Sequence, residues 1–226
     1  MGTALKIAII GNFNFTLNAH HATNLAIDHA ARFLDFEINY YWITLDEVMK
    51  LKNQSLTEYD GFWFSPGDNN NHFYLHGAIE KIMLTGVSTF VTGEGFKSLL
   101  EVLVNRNNFN PNNEKLISDN LVEGNQFERI TIIPESVALN KLYQNHNQTE
   151  LTSSRYSLYP QTLDLLKTEL IDIEAVNQFE ETEIISLKNH PYFVACGFCP
   201  QISSTREIPH PLVYTFIKAC AQDFNV

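Results

Sequence analysis

A chain of 226 residues, 44% of them hydrophobic and 12% aromatic, can bury the core of one larger domain. Its formal net charge of −11 disfavours nucleic acid and anionic membranes as partners, and no apolar run approaches the roughly 20 residues that span a bilayer. Three cysteines, Cys196, Cys199 and Cys220, make no disulfide framework, so reduced thiols and a cytoplasmic setting are expected.

The chain enters its first element without a signal-peptide layout. Residues 5–10 (LKIAII) form a continuous apolar run closed by Gly11-Asn12, which suits a buried parallel strand. A polar loop follows, and residues 23–34 (TNLAIDHAARFL) carry a helical apolar face through Leu25, Ala26, Ala30 and Phe33. Residues 37–43 (EINYYWI) are rich in β-formers. Residues 45–52 suit a short helix, and residues 61–64 (GFWF) a third strand ending at the turn Ser65-Pro66-Gly67. Residues 77–84 read as a helix, 87–91 as a fourth strand and 94–104 as the helix after it. Between the last two lies a tight glycine bend, Gly93-Glu94-Gly95, which places its residues at the rim of a parallel sheet beside free helix N–H groups.

The second half differs. Residues 105–114 (NRNNFNPNNE) read as an asparagine-rich surface insertion. Residues 126–133 and 183–187 suit antiparallel strands, 161–169 a helix, 192–198 (YFVACGF) a buried strand and 211–221 a closing helix. No repeat or linker divides the chain, so residues 1–226 are expected to form a single domain. Alternating strands and helices predict an α/β fold, a doubly wound and mainly parallel sheet with flanking helices and a small antiparallel addition. The ends of strands one, three and four should line one crevice, where open sheets of this kind bind ligands.

Taken in order, KIAIIG (6–11), HATNLAIDHA (21–30), YDGFWFSPG (59–67), GAIEKI (77–82), GEGFK (93–97), RYSLYP (155–160), NHPYFVACGFCPQ (189–201) and HPLVYTFIKA (210–219) resemble the class I glutamine amidotransferase domain of CTP synthase, and above all stand-alone relatives of that region. The resemblance implies a flavodoxin-like core. It also implies a glutaminase site in which an elbow cysteine attacks the amide, a histidine moves the proton, a glutamate orients the histidine and backbone N–H groups hold the oxyanion. Anchored on Gly95-Phe96-Lys97, the nucleophile position is Gly93. The family's H-P-E reads Cys199-Pro200-Gln201, which puts Cys199 at the histidine position and Gln201 at the glutamate position. Glycine cannot form an acyl-enzyme, cysteine does not shuttle protons as imidazole does, and glutamine cannot stabilise an imidazolium. No catalytic residue is therefore expected. The stretch after strand three keeps Gly67 but adds Asp68, whose charge opposes an oxyanion.

Glu94 is either a charge placed at a helix N-terminus or a polar group of a repurposed pocket with Asp68 and Cys199. Cys196 and Cys199 form a C-x-x-C with one member inside a strand, which fits neither a disulfide nor a full zinc set. Cys199 is also a possible relocated nucleophile with no identified base. Arg155-Tyr156 matches a family segment near the glutamine pocket, where the arginine would grip a ligand carboxylate or make a surface ion pair. The scattered histidines, including His20, His21, His190 and His210, suit caps and packing because no metal-ligand spacing occurs. The expected ligand-binding set is Gly67, Asp68, Glu94, Arg155, Tyr156 and Cys199, with no metal and no cofactor. The expected partner is a small molecule or a protein, and a homodimer is possible. Three functions stay open: a non-catalytic binder, an amide or ester hydrolase or transferase using Cys199, Glu94 or Asp68, and a regulatory subunit of a separate synthetase.

Overall fold

The computed structural model describes residues 4–67, 71–110, 112, 115–120, 122 and 127–221. The site residue Asp68 lies outside them, as do Gln126 at the start of one expected strand and parts of the asparagine-rich stretch.

The first half follows the expected alternation. Strands β1 (Leu5–Ile10), β2 (Ile38–Ile43), β3 (Gly61–Phe64) and β4 (Ser88–Thr92) are joined through helices α1 (Asn18–Leu34), α2 (Leu45–Lys50), α3 (Asn53–Leu56) and α4 (His72–Met83). Helix α5 (Gly95–Arg106) leaves the elbow after β4. The second half adds β5 (Ile117–Asn120), β6 (Glu128–Pro134), α6 (Val137–Tyr143), β7 (Thr149–Thr152), β8 (Arg155–Leu158), α7 (Pro160–Glu169), β9 (Ile171–Asn177), β10 (Thr182–Leu187), β11 (Phe193–Cys196), α8 (Pro200–Ser203) and α9 (Pro211–Cys220).

Among the described residues the main sheet has nine strands in the order β2-β1-β3-β4-β11-β10-β9-β6-β7. The run from β2 to β11 is parallel, with β1 beside both β2 and β3. From β10 onward each strand is antiparallel to its neighbour. The antiparallel addition is thus continuous with the parallel sheet, while β5 and β8 form a separate two-stranded ribbon.

The parallel strands are apolar throughout because helices cover both faces. Alternation along β1 sends Ile7 and Ile9 to a core with Trp63, Phe90, Ala30 and Phe216, on the side of α1 and α9. It sends Ala8 and Ile10 to a second core with Phe64, Ile79, Leu99 and Leu100, on the side of α4 and α5. Local chemistry sets the helix ends. Thr44 and Glu47 form a reciprocal capping box on α2. Asn71 accepts from the Tyr74 N–H at 3.1 Å and starts α4 five residues earlier than its apolar pattern alone suggests.

The chain leaves β1 toward β2 on one side and continues from β3 toward β4 on the other, so the order reverses at β1. The loops after β1 and β3 diverge there and leave a crevice at the carboxyl edge of the sheet.

Candidate functional site

That crevice has a volume of about 820 Å³ and is lined by the β1–α1 loop, the turn after β3, the elbow residue Glu94, and Ser153 and Cys199. Within the elbow, Thr92 accepts a hydrogen bond from the buried Trp63 indole at 3.0 Å and donates to the Phe64 carbonyl at 3.0 Å. The Gly93 N–H donates toward the carbonyls of Cys196 (3.0 Å) and Phe198 (3.2 Å), tying the bend to the end of β11.

Gly93 has φ +62, a left-handed conformation, and a Cβ built on it would sit 2.8 Å from Pro66 Cβ and 3.8 Å from Cys199 Sγ. A side chain there meets both strain and a filled space. Gly93→Ala is expected to lower stability by about 1–3 kcal/mol, combining the left-handed backbone cost with overpacking against Pro66. A urea midpoint equal to the parent's would show that the elbow yields instead.

Cys199 lies across from Gly93 and is 2% exposed. Burial, with Glu94 and Glu150 nearby, pushes its thiol far above the ordinary range. It is a neutral thiol at physiological pH, and a buried thiol of this kind is a poor nucleophile. Cys196 and Cys220 are also free and buried. Gln201, in the first turn of α8, is 2% exposed, and neither atom of its amide finds a hydrogen-bond partner among the described residues. An amide left in that condition costs free energy.

Glu94 is anchored from two sides. Its Oε2 accepts from the Gly67 N–H at 3.1 Å and its Oε1 from the Ser153 hydroxyl at 2.8 Å. Gly67, with φ +134, turns its N–H into the crevice edge. Glu94 and Gly67 also border a second recess of about 400 Å³ with Lys97, Glu101 and Tyr156. In it Lys97 pairs with Asp119 at 2.6 Å and lies 5.4 Å from the centre of the Tyr156 ring.

The structure brings Gly67, Glu94 and Cys199 together in the crevice and places Tyr156 in the adjoining recess. Arg155 lines neither. Its guanidinium donates to both carboxyl oxygens of Glu181 at 2.9 and 2.7 Å and to Glu128 at 3.4 Å, and it stacks 3.9 Å from the centre of the Phe179 ring.

Two features carry no local signal as site residues. His20 is buried at the crevice wall, where its Nδ1 accepts from the Asn14 N–H at 2.9 Å and its Nε2–H donates to the Pro66 carbonyl at 2.9 Å. Burial pushes this imidazole below its ordinary value, so it stays neutral and braces the two loops. Beside it Phe13 packs on Phe15 and on Trp42, each at 4.9 Å. The closing Gly11-Asn12 of β1 points to this loop without showing which side chains face inward.

His146, Glu150 and His210 bring ligand-type atoms within 4.8 Å of one another. The Leu212 N–H donates to His210 Nδ1 at 3.1 Å, which caps α9. Nε2 therefore carries the proton and donates to Glu150 Oε1 at 2.8 Å. This fully buried pair is a hydrogen-bonded brace, since a metal on Nε2 would have to displace that proton.

Parallel sheet, elbow and crevice together define the fold of the class I glutamine amidotransferases. Among proteins of that fold the chain resembles the glutaminase domain of CTP synthase. The solved glutaminase domain of Trypanosoma brucei CTP synthase, with bound acivicin, superposes with a TM-score of 0.75 at 17% identity, covering 97% of this chain and 94% of that one. Among curated sequences the chain is 25% identical over 244 residues to CTP synthase of Caldanaerobacter subterraneus subsp. tengcongensis, covering 95% of this chain and 44% of the relative. It is 22% identical over 244 residues to that of Mycoplasmopsis pulmonis, covering 94% of this chain and again 44% of the relative. The chain thus spans less than half the length of these enzymes. No family model matches it.

Proposed function

We propose that this chain is a homologue of the CTP synthase glutaminase domain in which the Cys-His-Glu triad has become Gly93, Cys199 and Gln201, and that it binds a small molecule in the crevice without hydrolysing glutamine. The observation that carries this reading is the Glu94 carboxyl held 3.1 Å from the Gly67 N–H. In the family that the chain resembles, the stretch after the third strand belongs to the oxyanion region, so an N–H at that turn would face the developing charge. A carboxylate already bonded to it competes for the donor and repels the charge. The glycine elbow and the buried neutral thiol of Cys199 support the same conclusion, and the thiol counts against a nucleophile relocated across the crevice. A link to nucleotide metabolism rests on the resemblance alone.

The test is ammonia and glutamate release from L-glutamine by the purified protein and by Cys199→Ala. Neither is expected to exceed buffer. Activity in the parent that vanishes in the variant would overturn the reading and place the nucleophile on Cys199.

A further inference from the structure

The crevice is asymmetric in charge and in polarity. Among the described residues that line it, Glu94 is the one charged side chain, and no basic side chain pairs with Glu94. Lys97, one turn along α5, is committed to Asp119. His20 has both ring nitrogens engaged and is held neutral by burial. The donors from Gly67 and Ser153 occupy one acceptor position on each Glu94 oxygen, and a carboxylate has about four such positions. Its orientation is fixed while half its accepting capacity stays open.

The β1–α1 loop brings Phe13 and Phe15 to the same crevice. Phe15 is 81% exposed at the mouth, edge-on to Phe13, which in turn packs on Trp42. An exposed phenylalanine at the rim of a crevice offers both apolar area and a π-face. The chain as a whole carries a formal −11, which favours cations over anions near its surface.

We propose that the crevice takes an organic cation, a primary ammonium carried on an apolar or aromatic group, with its charge on Glu94 and its apolar part against Phe13 and Phe15. The assignment rests on the crevice being a binding site rather than a hydrolytic one. It accounts for a half-buried carboxylate without a cationic partner among the described residues and for an exposed aromatic side chain lining the same space. A ligand whose only charge is a carboxylate is disfavoured, because Glu94 repels it and no lysine or arginine lines the crevice among the described residues.

The probes are benzylammonium, benzyl alcohol and benzoate, titrated calorimetrically near neutral pH into the full chain and its Glu94→Gln and Phe15→Ala variants. Benzylammonium is expected to bind at least about tenfold more tightly than benzoate, which corresponds to about 1.4 kcal/mol. Glu94→Gln should remove about the same factor for benzylammonium and leave benzyl alcohol unchanged. Phe15→Ala, a surface change that keeps the fold, should weaken both by a few-fold, in line with a cation–π and apolar contact of about 1 kcal/mol or less. Equal binding of benzoate and benzylammonium, or affinity indifferent to both substitutions, overturns the proposal. Glutamine turnover in the same preparations separates the two readings. Turnover with intact ammonium selectivity sinks the non-hydrolytic reading alone, and no turnover with no selectivity sinks the cation site alone.

Discussion

Arg155→Ala is expected to lower stability by about 3–5 kcal/mol, the cost of leaving the buried Glu181 carboxylate without its cationic partner. The Arg155 side chain is 12% exposed, that of Glu181 6% and that of Glu128 13%. The contact to Glu181 is bidentate, a geometry that lysine cannot reproduce. Glu181 also accepts from Asn120 and Asn177 at 2.6 and 2.7 Å, so the arginine sits at the centre of a network joining β5, β8 and β9 to the turn before β10. For a domain of this size each kcal/mol shifts the melting temperature by about 2–4 °C, so a drop on the order of ten degrees is expected. Arg155→Lys should fall between the two, keeping the charge and losing the fork. If Arg155 instead served to hold a ligand carboxylate, Arg155→Ala would melt within a degree or so of the parent (about what a neutral surface change gives), and that result would sink the structural role.

The same network shows what can be read before folding. Arg155 sits in RYSL, a four-residue strand, and its partners Glu181 and Glu128 are 26 and 27 residues away. Nothing local distinguishes an arginine bound for a buried carboxylate from one bound for a ligand. The ribbon β5–β8 is equally silent, because its register pairs Ile117 with Leu158 across a connection that holds other elements. Strand β9 (IDIEAVN) does carry a signal, an alternation that puts Ile171, Ala175 and Asn177 inside and Asp172 outside; its charged residues mask it beside the continuous apolar runs of β1 and β3. Those runs are legible because a parallel strand covered on both faces has no polar side. The elbow is legible from its glycines and from the resemblance. The contact that decides its chemistry is not, since Glu94 meets Gly67 and Ser153 across 27 and 59 residues. Burial of Cys199 likewise follows from β11 pairing with β4 in the register Cys196 to Thr92, a tertiary fact.

Glu183 should make this protein less stable as pH rises through the neutral range. Its side chain is 3% exposed. Burial pushes its carboxyl up to about 8; a hydrogen bond from Asn177 at 2.7 Å offsets part of that rise, and the neighbouring Glu181 adds to it. In the unfolded chain the group titrates near 4.5. Between those values the folded protein holds a proton that the unfolded chain has released, so stability falls with rising pH, by up to about 1.4 kcal/mol per unit. The contribution is whole below the unfolded value and gone above the folded one. Glu181, whose carboxyl is lowered by its bonds to Arg155 and Asn177, acts with the opposite sign and only in acid, so the two do not cancel near neutrality. Glu183→Gln keeps an acceptor for Asn177 and removes the titration. Denaturant midpoints of parent and variant should therefore converge near pH 5 and separate progressively toward pH 8, with the variant the more stable by several kcal/mol at most, as a pKa change of about three units allows. Parallel pH profiles for the two proteins would mean that Glu183 reaches solvent in the folded state. The packing of β10 against the turn at Gly197, where an added Cβ would lie 2.9 Å from Glu183 Oε2, would then have to open to admit water.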